Sequence, residues 1–134
     1  MQIASFDDFL NAASQQPEPQ RLLFVFTRAE LPADATAEEK ARFERGEGGA
    51  LAPVMCVDKL PAEVAGFAAL RDESHRTGQP WDVVFAAALG GHGGRVPDSQ
   101  AATAPLERMV EMVKHGHIGQ FLAFGREGDI LQLN

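Results

Sequence analysis

A chain of 134 residues, 45% hydrophobic and 23% charged, fits one folded domain and excludes a disordered composition. A formal net charge of −7, with no run of Lys and Arg, argues against nucleic acid as a partner, and no apolar stretch is long enough to span a membrane. The opening MQIASFDDFLNAAS lacks the basic and apolar regions of a secretory signal, and the only cysteine, Cys56, excludes an internal disulfide and a structural Cys-type zinc site, so the expectation is an acidic, reduced, cytoplasmic protein.

In chain order, SFDDFLNAASQQ reads as an amphipathic helix. Ser5 is its expected N-cap with Asp8 three residues on, and Phe6, Phe9, Leu10 and Ala13 form its apolar stripe. The PEP at 17–19 ends it. RLLFVFTR follows, with the continuous apolar run Leu22 to Phe26 of a strand covered on both faces. LPADAT is a loop. Thr36 and Glu39 make a capping box for the short, mostly exposed helix AEEKARFERG, in which only Ala37, Ala41 and Phe43 are apolar. GEGG at 46–49 reads as a flexible connection.

ALAPVMCVD is the second strand, with Pro53 near its start or on a sheet edge. Pro61 opens a helix, AEVAGFAALRDESHRTG, with Val64, Phe67, Ala68 and Leu70 inward and Gly78 as its stop. WDVVFAAAL is a third apolar strand. After a glycine-rich loop, Thr103 or Ala104 begins a helix with Leu106, Met109, Val110 and Val113 as its core stripe. Lys114 and His115 suit its C-terminal dipole, and Gly116 closes it. IGQFLAF and DILQL, joined by GREG, read as a hairpin.

The order α-β-α-β-α-β-α-β-β predicts an α/β fold in a single domain spanning 1–134. It comprises a mixed, mainly parallel sheet of about five strands, helices packed on it, and a C-terminal antiparallel hairpin. Phe121 and Phe124 fall on opposite faces of that hairpin by strand alternation. There is no internal repeat or linker that would divide the chain.

The stretch AALGGHGGRVPDSQ carries the main chemical question. Gly90, Gly91, His92, Gly93, Gly94 and Arg95 follow a strand, where open α/β sheets bind ligands. Arg95 is suited to grip an anion and His92 to switch charge near neutral pH. The spacing, however, matches neither a P-loop nor a dinucleotide fingerprint, and a mobile connection is the alternative reading. Cys56, within PVMCV, reads either as a small buried hydrophobe or as a reactive thiol. His115 and His117 lack the further ligands a metal needs, with His75 and His92 distant in sequence, so no metal and no cofactor is expected. Asp82 opens a strand as either a catalytic or a solvated carboxylate. The Asp7–Asp8 and Glu38–Glu39 pairs suit helix first turns. No G-x-S-x-G elbow or C-x-x-C is present.

The segments QPEPQRLLFVF, GEGGAL-P-MCVDK, WDVVFAAAL and IGQFLAF resemble, over nearly the whole chain, a family of small Gram-negative bacterial proteins of uncharacterised activity. Its members are often called ribonucleotide reductase subunit alpha. The resemblance implies no catalytic residue or cofactor. A class I reductase catalytic subunit is many times longer than this chain. It also needs one cysteine for a thiyl radical and a pair as reductant, three roles that Cys56 alone cannot fill. The functional expectation is a non-catalytic binding or protein-interaction module, acting on another protein or a copy of itself. The alternatives are a small-molecule or anion-binding protein, possibly an enzyme, using Gly90–Arg95, and a redox protein using Cys56.

Overall fold

The computed structural model describes residues 3–31, 33–45 and 50–132; the GEGG connection lies outside them. Helix α1 (Phe6–Ser14) starts where expected, because the Ser5 side chain accepts the Asp8 amide and Asp7 and Asp8 complement the positive end of the dipole. Strand β1 (Gln20–Glu30) is buried continuously from Leu22 to Thr27. Helix α2 (Ala37–Glu44) has the full Thr36–Glu39 capping box and buries none of its residues. The Thr36 backbone hydrogen bond, helped by its hydroxyl, holds the Glu39 carboxyl below the usual carboxylate range. This cap is therefore complete above the ordinary carboxylate pKa and is lost as pH falls through the lowered one.

Strand β2 (Ala50–Lys59) leads into a single 3-10 turn at Pro61–Glu63. The helix expected from Pro61 is broken there: α3 (Phe67–His75) starts only after Gly66, whose φ is 147°. Strand β3 (Val83–Gly90) is followed by α4 (Ser99–Lys114). This last helix begins a full turn before the expected Thr103 or Ala104. Asp98 caps it through the Ala101 amide at 2.7 Å, and Ala102 is fully buried, so Pro105 lies inside the helix rather than at its start. Strands β4 (Leu122–Phe124) and β5 (Ile130–Leu131) form the expected C-terminal hairpin, shorter than the apolar runs suggested.

The five strands make one sheet in the order β2-β1-β3-β4-β5, and every neighbouring pair is antiparallel. The mainly parallel sheet expected from the alternating element order is therefore incorrect. The physical reason lies in how the connections are used. A parallel crossover helix must pack back on the sheet. Helix α2 instead sits in a β1–β2 hairpin connection and buries nothing. The continuous apolar runs arise because both faces of this antiparallel sheet are covered.

One face carries α1 and α3. Phe6, Phe9, Phe24, Phe26, Trp81 and Phe124 form its core, with the Trp81 indole N–H donating to Ser74 Oγ at 2.7 Å. The other face carries α4, where Ala102, Leu106, Met109 and Val113 pack on Leu23, Val25 and Phe85. Phe124, in β4, belongs to the first core, and Phe121, just before the strand begins, packs on the second, so the two face opposite sides. A register shift at Phe26/Thr27 inserts one residue into β2. Its effect is visible in the packing: Met55 and Val57 join the first core, and so does Val54, whereas Leu51 joins the second. Among the described residues, no helix is long and apolar enough to cross a membrane.

Candidate functional site

The glycine loop is compact. His92 and Arg95 form an isolated antiparallel bridge around Gly93 and Gly94, whose φ values are 60° and 79°. Positive φ at both central positions is the requirement of a type I′ turn, which is why two glycines occupy it. Four of the amides one would assign to a phosphate cradle, those of Gly91, His92, Gly94 and Arg95, are engaged. Gly91 N–H donates to Pro19 O at 2.9 Å, His92 and Arg95 bond each other, and Gly94 N–H donates to Glu18 Oε2 at 2.7 Å. A carboxylate thus already sits on the turn and opposes an anion there. The side chains of His92 and Arg95 are exposed.

A second cluster fixes where α4 starts. Arg21 Nε donates to Pro97 O at 2.6 Å and its Nη1 to Asp58 Oδ2 at 2.7 Å, while Ser99 Oγ donates to the same carboxylate oxygen. Arg21 and Asp58 side chains are only 12% and 19% exposed, so the pair is largely removed from water and satisfied on several sides. It ties the strand ends of β1 and β2 to the first turn of α4.

With α4 anchored there, a groove of about 540 Å³ opens between the helix and β2. It is lined by Cys56, Thr103, Leu106, Glu107, Val110 and Glu111. Leu106 and Val110 form an apolar floor, and Glu107 and Glu111, one helical turn apart, form an acidic rim. Glu111 lies 3.5 Å from His115 Nε2 at the solvent-exposed end of the helix. None of Gly90, Gly91, His92, Gly93, Gly94 or Arg95 lines this groove.

Cys56 is exposed, which overturns the first of its two readings, a small buried hydrophobe. It pairs with Val25 on the α4 side of the sheet, but β2 is an edge strand and α4 leaves the thiol uncovered. In the native protein, iodoacetamide is expected to label Cys56 within about tenfold of the rate in the unfolded chain. Protection by a further order of magnitude would mean that the groove is closed in solution.

The other candidates stand apart. Asp82 is structural: its amide donates to Thr27 O and its carboxylate accepts the Ala29 amide at 2.8 Å, closing one end of the β1–β3 ladder. His115 caps the C-terminus of α4, and the His75 ring lies 6.3 Å from that of Trp81, tilted by 40°. Among the described residues, no group of three or more His, Cys, Asp or Glu could hold a metal ion. The groove was not foreseen from the sequence. Sequence alone assigns no role to Glu107 or Glu111, and the only available signal is their i, i+4 spacing beside Thr103 and Val110. Comparison with protein-family models, curated proteins and solved structures finds no match to the chain.

Proposed function

We propose that the protein is an interaction module that accepts an extended polypeptide segment along the outer edge of β2. The observation that carries this reading is the edge itself. Among the described residues no strand pairs with β2 on its outer side, although the strand runs from Ala50 to Lys59. An unpaired edge offers backbone donors and acceptors to an added strand, and an adjacent pocket supplies side-chain selectivity. The register shift and Pro53 interrupt the first half of β2, which guards it against indiscriminate pairing. Met55–Lys59 continues in unbroken register beside the groove and is the stretch suited to docking.

This reading is non-catalytic. It assigns Cys56 a place on a contact surface rather than a redox role, and it gives the His92–Arg95 turn a structural role. Peptides selected from a random display library should perturb the amides of Met55–Lys59 and of α4 in NMR titrations. Binders that map instead to the His92–Arg95 turn, or saturable phosphate binding there, would replace this function with anion recognition.

A further inference from the structure

Resting on that docking reading, we infer that the segment accepted by β2 is basic, with an apolar side chain directed to the Leu106–Val110 floor and a Lys or Arg directed to Glu107 and Glu111. The argument is one of charge and shape. A strand added beside Met55–Lys59 lies along the groove, because Cys56 both belongs to that stretch and lines the cavity. Its side chains alternate between the two faces of the sheet, so every second one points to the α4 side. The rim they meet there carries two carboxylates. Asp58, the next acidic group on the same side of β2, is already held by Arg21 and Ser99, which leaves Glu107 and Glu111 as the carboxylates facing the cavity. Lys59, at the end of the stretch, is engaged with Glu73 at 2.7 Å and does not offset them. His115 approaches Glu111 alone, from the C-terminal end of the helix. With a net charge of −7 over the whole chain, long-range attraction also favours a cationic segment.

The test uses the full chain and two short synthetic peptides, one of alternating valine and lysine and one of alternating valine and glutamate. Affinity is read by NMR titration, and occupancy of the groove by protection of Cys56 from iodoacetamide. The lysine peptide is expected to bind at Met55–Lys59 about tenfold more tightly, to protect Cys56, and to weaken as salt rises. The double variant Glu107→Lys/Glu111→Lys, with unchanged circular dichroism, is expected to reverse the order of the two peptides. Equal binding of both peptides at β2 would overturn the charge inference and leave edge docking standing. Binding of neither would overturn both. A lysine preference that survives the double variant would reflect overall charge and refute the role of the rim. Concentration-dependent self-association of the protein alone, mapped to β2, would make a second copy the occupant and likewise refute the inference.

Discussion

Replacing Phe6 by alanine is expected to lower stability by about 4 kcal/mol, a loss typical of a large aromatic removed from a core that relaxes only partly. Phe6 is 1% exposed and lies where α1 meets the sheet. Its ring centroid is 5.2 Å from both Phe67 and Phe124, in edge-to-face arrangements, and 5.8 Å from Phe24. One truncation therefore removes contacts to α3, β1 and β4 together, and each aromatic pair adds to the simple burial term. The thermal midpoint should fall by about 12–20 °C for a domain of this size. Chemical denaturation of Phe6→Ala beside the parent protein measures it. A loss below about 1 kcal/mol would mean that the four-element aromatic junction contributes little.

Gly91→Ala is the second large effect. A Cβ at this position would stand 2.0 Å from the Arg95 carbonyl oxygen and 3.0 Å from that of Pro19. Both are backbone atoms, so no side-chain rotation relieves the overlap. The His92–Arg95 turn must then move away from β1, breaking the Gly91–Pro19 and Gly94–Glu18 hydrogen bonds. The expected cost is about 2–4 kcal/mol. Gly93→Ala, which meets no atom but keeps a φ of 60°, should cost only about 1 kcal/mol. Hydrogen exchange at Gly91, His92 and Arg95 distinguishes them: the first variant loses protection, the second largely keeps it. Equal behaviour would show that close approach is not what selects glycine at 91.

Local features of the chain were readable from its residues because their physics is local. The Ser5 and Thr36 caps, the Phe6–Phe9–Ala13 stripe and the turn before Asp129 depend on neighbours within a few positions. Strand direction does not. Leu22–Phe26 is apolar because helices cover both faces of the sheet, and that demand is the same for parallel and antiparallel neighbours. The start of α4 was missed for a different reason. Pro105 suggests a first turn, but the Asp98 cap and the Arg21–Asp58–Ser99 cluster favour an earlier one. The two readings of Cys56 stayed open because an apolar run does not distinguish an edge strand from a central one. The groove beside it exists only once α4 is anchored over β1 and β2, which links residues far apart in sequence.

The position of β1 between β2 and β3 sets a schedule for the nascent chain. β1 carries the longest fully buried run, and its two edges are filled at different times. β2 follows it after a short helix and ends at Lys59, whereas β3 ends at Gly90, about thirty residues later. At ribosomal speeds that interval is roughly 2–6 s, long compared with the formation of a hairpin in microseconds. Throughout it, the β1–β2 hairpin exposes the edge of its most apolar strand, and α4, which covers one face of that hairpin, is made later still. The step most exposed to misassociation during synthesis is therefore the wait for β3, and faster translation of the intervening segment should raise the soluble yield.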